Sequence, residues 1–548
     1  MNETKTKLRV TFLPSEKYAF VEKGASIFDA AMKAGVEINS VCGGQKQCGK
    51  CRVIVRDGEY RKGRTALLSL RDISEGCVLA CDTFVQSDLT VAIPIESIQG
   101  EGRILRGEKA QSEGEEPTPL ADETGEIGLA VDIGTTTVVA HLVDMNSGRT
   151  IDIAAKYNSQ AGYGEDYIKR IIYLEEHNAA DEMQRLLIRD INDLVGQLCQ
   201  RNGLECSAIS GAAFAGNTAM HHFLLGLDPS GIRREPFEPV TNFPSPQSAQ
   251  NLGININPEA VIDILPSVSV YVGADIVAGV LATGLHRQEE ISLQIDIGTN
   301  GEIVLGGDEW VVCCSASAGP SFEGGGVKFG MRAMEGAIED IAIDDKFRVK
   351  YGTIGSTRPK GICGSGLIDC LAEMFRVGLL ERNGKLREGD DSPVRRDEDG
   401  TPEFVLAPAA ETLAGRDIVI NQIDIQDLVR SKGAVFAAIA ILVESMGIDF
   451  GAIKNVFIAG GFGNYLNIAN AVRIGLLPDL PSERYHFVGN TAISGARRCL
   501  CSREALAEAN EIARAMTYFD LMKDHRYMDY YQQALFIPHT NMNLFPSV

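Results

Sequence analysis

Cys42, Cys48 and Cys51 fall within ten positions of one another in SVCGGQKQCGKCRVIV, with five residues between the first two and two between the last two. Thiols at that density invite a soft metal. Structural zinc favours two paired CxxC units, or a cysteine pair joined by histidines. Here the next cysteines, Cys77 and Cys81, are separated by three residues, and no histidine precedes His141. Iron–sulfur clusters accept a looser arrangement, three thiolates on a Gly-rich loop and a fourth from a distant segment. Gly43, Gly44 and Gly49 allow tight backbone geometry, and their N–H groups can bond to cluster sulfides and raise the potential.

A second chemistry is written twice. LAVDIGTTTVVAHLVD at 129–144 and LQIDIGTNGEIVLGG at 293–307 share the core Asp-Ile-Gly-Thr. Each is an apolar strand ending at an aspartate, a Gly-Thr turn and a second apolar strand. Gly134 and Gly298 let backbone N–H groups approach phosphate oxygens, and the neighbouring threonine hydroxyls add donors. Asp132 and Asp296 sit at strand ends, where a carboxylate holds hydrated Mg²⁺ or orients an attacking water. One such turn is an ordinary hairpin; two copies point to a duplicated phosphate cradle. No P-loop motif competes, and the glycines of SFEGGGVKFG lack the strand–helix setting of a dinucleotide site.

The elements that must carry these groups follow from periodicity. TKLRVTFL and KYAFVE alternate about Pro14-Ser15 as a pair of strands. GASIFDAAMKAGVEI predicts a helix with Ser26 as N-cap and Gly35 as its stop. With a strand after the cysteine loop and a closing strand in LTVAIPIES, residues 1–98 form a small α+β domain. Residues 99–126 are acidic and poor in apolar side chains, the composition of a flexible linker. From 127 to about 515 apolar strands alternate with helical patterns, an α/β architecture. The Tyr- and Phe-rich segment 516–548 reads as a docked terminus, with an oligomer contact as the other use of such an end.

The cysteine loop and its surrounding order resemble the two-iron, two-sulfur ferredoxins of β-grasp fold. That resemblance implies Cys42, Cys48 and Cys51 as ligands and, through the family's Leu-Ala-Cys ending, Cys81 as the fourth; Cys77 matches no ligand position. The second part resembles the two-lobed, ribonuclease H-like actin-type ATPases, in phosphate, connecting and adenosine segments. These include VFIAGGFGNYL (456–466), GADIVAGVLATGL (273–285) with Asp275 in its first turn, and GNTAISGARRCL (489–500). The resemblance implies two lobes, about 127–290 and 291–515, closing on MgATP. Its contacts would be Gly134, Thr135, Thr136, Thr137, Gly298, Thr299, Asn300, Gly460, Gly461 and Gly463. FAGNTAMHH adds a further phosphate contact at Gly216, Asn217 and Thr218, while His221 and His222 read as packed. Asp132, Asp296 and Asp275 are the catalytic candidates by position, with Glu302 near the second cradle.

A ferredoxin domain tethered to an actin-like ATPase resembles the reductive activators of corrinoid proteins, and GNTAMHHFLLGLDPSGIRREPFEP, SASAGPSFEGGGVKFGMRAMEGAIE and GICGSGLIDCLAEM extend the likeness over nearly the whole chain. The resemblance implies ATP-dependent, one-electron return of inactive Co(II) to Co(I) on a corrinoid protein partner, through a 2Fe-2S cluster fed by an unnamed low-potential electron donor. It also implies a homodimer, of which the chain itself carries no sign. Ferredoxin-type clusters of this class lie near about −400 mV. Co(II)/Co(I) is expected lower still, and each ~59 mV of deficit costs about 1.4 kcal/mol in a one-electron step. ATP can supply that deficit through conformation. CCSASAGPS at 313–321 reads as a small-residue loop, either near the corrinoid face or simply close-packed.

Composition bounds the rivals. A net charge of −22 over 548 residues argues against nucleic acid as a partner. No apolar run suggests a membrane span and no signal segment opens the chain, so a cytoplasmic place is expected. A small-molecule kinase has no use for the thiol loop. An injector of electrons into a radical dehydratase shares the ATPase half but lacks the ferredoxin half. A redox-sensing adaptor without turnover shares both.

Overall fold

The computed structural model describes residues 7–36, 38, 44, 46, 49, 51–63, 67–68, 72–73, 76–94, 126–164, 166–298, 300–460 and 466–548. Cys42, Cys48, Thr299, Gly461, Gly463 and the expected linker up to residue 125 lie outside the described residues.

The first unit is a five-stranded sheet in the order Tyr18–Glu22, Lys7–Leu13, Leu89–Ala92, Arg52–Asp57, Cys77–Leu79. Its first and last long strands lie side by side in parallel, Val10 opposite Leu89 and Phe12 opposite Val91, which is the β-grasp arrangement. Alternation explains the strands: Val10 and Phe12 are wholly buried while their neighbours face outward. The helix Ile27–Ala34 starts where sequence reading puts it. Ser26 accepts from Asp29 N and Asp29 reaches back to the Ser26 N–H, a capping box, and Gly35 ends the helix at φ 62°. The strand Cys77–Leu79 was not expected; three residues are too few for periodicity to reveal.

The second unit contains two six-stranded sheets of matching design. In the first, Thr150–Tyr157, Thr137–Asp144, Ile127–Ile133, Ile209–Gly216 and Val261–Ile264 follow one another, with Gln247–Ser248 at the edge. In the second, Val311–Ala316, Gly301–Gly306, Ser292–Ile297, Asn455–Ala459 and Tyr485–Gly489 repeat that order, with Thr517–Tyr518 beside Val311–Ala316. In both, an antiparallel hairpin carries the Asp-Ile-Gly-Thr turn and a later strand adds in parallel to its first strand. The central strands are apolar on both faces because both faces are covered: Leu129, Ala130 and Val131 are each fully buried.

Two helices cross between the sheets. Ala274–Thr283 and Thr491–Cys501 pack in one apolar cluster with Ala130, Ala213, Val304 and Cys313. Glycine sets their closeness: a Cβ on Gly495 would stand 2.3 Å from Ala278 O, and one on Gly279 would stand 2.9 Å from Thr491 Oγ1. CCSASAGPS begins as strand, Cys313–Ala316, and only then turns into loop. Cys313 and Cys314 are fully buried within Val311–Ala316, because Cys314 faces one apolar cluster and Cys313 the other, while Thr517–Tyr518 pairs along the strand's outer edge. The aromatic terminus is docked: Phe545 is buried, and the buried Lys432 donates to Phe536 O and, at 2.7 Å, to Pro538 O. Among the described residues no helix is long and apolar enough to cross a membrane.

Candidate functional site

At the thiol loop, Cys51 and Cys81 are buried with their sulfurs 3.2 Å apart. That is too far for a disulfide, whose S–S length is about 2 Å, and close enough for both thiolates to face one iron. Cys81 reaches this place on the short helical turn Ala80–Asp82, whose Ala80 N–H donates to Cys51 O. The loop supplies the tight backbone that such a cluster needs: Gly44 and Gly49 have φ of 86° and 66°, and a Cβ on Gly49 would press 2.6 Å from Leu67 O. Lys46 ties the loop to Asp82 at 3.0 Å. Cys77 is buried in a strand opposite Ile54. The buried sulfur pair and glycine-shaped loop fit a cluster ligated by Cys51 and Cys81, with Cys42 and Cys48 outside the described residues.

The second site is a cleft of about 360 Å³ between the two sheets. Gly134, Thr135, Thr136 and Thr137 line one wall, Gly298 and Asn300 the other, with Asn217 and Gly460 at the strand ends. Each cradle is closed by its own turn, Gly134 N to Thr137 O at 3.0 Å and Gly298 N to Asn300 O at 2.9 Å. The parallel strands of both sheets stop at glycine for one reason. A Cβ on Gly216 would meet Ile133 O at 2.8 Å, and one on Gly460 would meet Asp296 Oδ1 at 2.6 Å. Asn217 caps the helix Thr218–Leu225 through its Oδ1 while its Nδ2 donates to Thr135 Oγ1 at 2.8 Å.

Among the described residues five carboxylates line this cleft, Asp132, Asp275, Asp296, Glu302 and Glu323, against one guanidinium, Arg332. Burial pushes Asp132 up to about 6, opposed by the Asn490 amide. Burial, then the charges of Asp132 and Asp296, raise Asp275 to about 7. Burial, then Asp132 and Glu323, raise Asp296 to about 7. Glu302, directly across the hairpin from Asp296, is held well above the usual range by burial, then Asp275 and Asp296. Among the described residues no three His, Cys, Asp or Glu side chains converge to grip a metal ion directly. This donor set suits a divalent ion held through its waters, and a polyanionic ligand can enter so acidic a space only with its cation.

Not every expected contact reaches the cleft. Thr218 is buried away from it, its hydroxyl donating to Ser269 O at 2.6 Å. Gly216 shapes the strand end rather than lining the space. His221 and His222 are packed: burial pushes His221 down to about 3, and His222 is held neutral between Thr218 O on Nδ1 and the Val240 N–H on Nε2.

Several side chains escaped sequence reading. Asn490 Nδ2 donates to Asp132 Oδ2 at 2.7 Å from the opposite part of the chain. Arg332 lies 4.3 Å over the Tyr157 ring, joining the two walls. Glu323, from the segment discounted as a dinucleotide loop, meets Thr136 Oγ1 at 3.5 Å. Behind the first cradle the buried Arg170 donates to Thr135 O at 2.5 Å, and Asn158 donates to Gly134 O at 3.0 Å. Only the Asn490 cap, adjoining a recognised helix, left a local signal.

Comparison with known proteins matches three families along the chain. Residues 11–86 match the 2Fe-2S iron-sulfur cluster binding domain, 127–288 the RACo middle region, and 290–548 the C-terminal domain of RACo, the ASKHA domain. The chain is 29% identical over 592 aligned residues to the corrinoid activation enzyme RamQ of Eubacterium limosum, covering 96% of this chain and 98% of that one. It is 25% identical over 434 residues to the Co(II) methylated amine-specific corrinoid protein reductase of Methanosarcina barkeri, covering 72% and 74%. A solved structure of a reductive activator for corrinoid, iron-sulfur protein superposes with a TM-score of 0.72 at 40% identity, over 99% of this chain and 100% of that one.

Proposed function

The chain belongs to the family of reductive activators of corrinoid proteins, and on that premise we propose that it returns a partner's Co(II) to Co(I) with the free energy of ATP hydrolysis. The carrying observation is one chain that joins a buried thiol pair on a ferredoxin fold to an acidic cleft between two duplicated phosphate cradles. When bound, the 2Fe-2S cluster supplies one-electron chemistry at a low potential.

The protein's own residues do the rest. In this reading the phosphates are received by the N–H groups and hydroxyls of Thr135–Thr137 and by Asn300, the Gly134 and Gly298 N–H groups closing the turns behind them; Asn217 orients Thr135, and Gly460 leaves room beside the base. Thr299, Gly461 and Gly463, expected from the sequence as further contacts, belong to the same proposal. Asp132, steadied by Asn490, holds the water shell of Mg²⁺. Asp275 and Asp296, poised near 7, take the proton of the attacking water, since a base works best with its pKa near the working pH. Nucleotide held by both walls favours one arrangement of the lobes, and that arrangement favours the Co(II) partner.

The division into 1–98, 99–126 and 127–548 belongs to this reading, as do a low-potential electron donor and a cytoplasmic setting. The test is anaerobic. Reduced holoprotein, MgATP and a Co(II) corrinoid protein should develop the Co(I) absorption band. Reduction at full rate without nucleotide overturns the proposal.

A further inference from the structure

The turn Ser159–Tyr163 has two faces. On one, Asn158 donates to Gly134 O and its own N–H donates to Thr136 O at 2.9 Å, so the start of the turn holds the first phosphate cradle. Arg170 binds the far end of the same turn to the cradle, through Gly164 O at 2.8 Å and Thr135 O. On the other face sits the ferredoxin unit. Met32, on the helix Ile27–Ala34, packs against the apolar cluster of the first lobe as well as its own core. Its methyl lies 2.3 Å from where a Cβ of Gly162 would stand, so any side chain there would have to displace Met32 from this seat. Asp29 on the same helix is near enough to the Tyr173 hydroxyl to raise its pKa, after burial and Glu182. One turn before Met32, Phe28 lies 3.0 Å from where a Cβ of Gly44 would stand in the thiol loop.

We propose that this face of the first lobe is the seat of the chain's own ferredoxin unit, and that seating and nucleotide binding reinforce each other through Ser159–Tyr163. The inference rests on the reading of the cleft as a nucleotide site. Met32 lodged on Gly162 immobilises the turn that holds the carbonyls of Gly134 and Thr136. A cradle already held in place binds phosphate with less ordering cost. Linkage makes the effect mutual: nucleotide must hold the ferredoxin unit to its seat by the same factor.

The experiment titrates a non-hydrolysable MgATP analogue into the full-length holoprotein by calorimetry. Met32→Asp should raise Kd at least about 5-fold, the low end of measured couplings, while Met32→Leu stays near wild type. Gly162→Leu, which blocks the seat from the other side, should match Met32→Asp and replaces it if that variant loses its visible spectrum. Spin labels at Lys23 and Glu176 should show a distance distribution that narrows with the analogue in wild type and not in Met32→Asp. Unchanged Kd in a Met32→Asp protein with an intact spectrum overturns the coupling and leaves the cleft reading standing. Wild type that binds no analogue overturns both.

Discussion

Asn490 and Asp132, 358 positions apart, meet at 2.7 Å in the lining of the cleft. The same amide side chain caps the helix Thr491–Cys501 by accepting from Ile493 N. Its NH₂ is thereby turned toward Asp132, where it opposes the burial that raises that carboxyl to about 6. One residue thus fixes both the start of a helix and the ionisation of an acid from the other sheet.

Asn490→Ala should lower ATP turnover about 10-fold, since a hydrogen bond to a charged group is worth roughly 1.5–3 kcal/mol. The acid limb of the pH–rate profile should move to higher pH, because the one influence holding Asp132 down is gone. An unshifted profile would show that Asp132 does not need this amide.

Asp275 and Asp296 titrate near 7 in the fold and at 3.8 in the ordinary state. Between those values the folded chain holds more protons than the unfolded one. Their contribution to stability therefore falls as pH rises through that window and levels off above it. Asp296→Asn should stabilise the nucleotide-free protein by about 1–3 kcal/mol at pH near 8, with the gain fading toward the acid end of the window. Saturating Mg²⁺ and nucleotide should shrink the difference. Denaturant melts across pH measure it, and equal stabilisation at both ends contradicts the buried-charge account.

Cys81→Ser should bleach the visible absorption of the reconstituted protein and stop Co(I) formation, while nucleotide still binds the cleft. Cys77→Ser, altering a buried thiol in a strand, should keep the spectrum. Equal loss of colour in both would mean that the sulfur pair at 3.2 Å is packing and not ligation.

Gly460→Ala should weaken nucleotide binding at least about 10-fold and cost about 1 kcal/mol or more of stability. The added Cβ would sit 2.6 Å from Asp296 Oδ1, at φ 88°. Gly148, at φ 72° with open space around it, provides the control: Gly148→Ala carries the backbone strain without the clash. Matching nucleotide affinities in the two variants would remove Gly460 from the base site.

Local chemistry was legible in the residues themselves. Thiol spacing, the two Asp-Ile-Gly-Thr turns, the Ser26 cap and the small-residue helix Ala274–Thr283 are all encoded within a few positions. Hydrogen bonding and periodicity act over that same range, so both the ferredoxin-like and the duplicated α/β designs could be read from them. What folding alone decided is everything that meets from afar. Asn490 against Asp132, Arg332 over Tyr157, Arg170 behind Thr135 and Met32 on Gly162 leave no periodic trace, because their partners come from different elements. Thr218 shows the converse. Its sequence setting suggests a phosphate donor, yet helix packing turns its hydroxyl to Ser269 O. The acidity of the cleft belongs to the same class: each aspartate is unremarkable alone, and only their burial side by side moves them toward neutral pH.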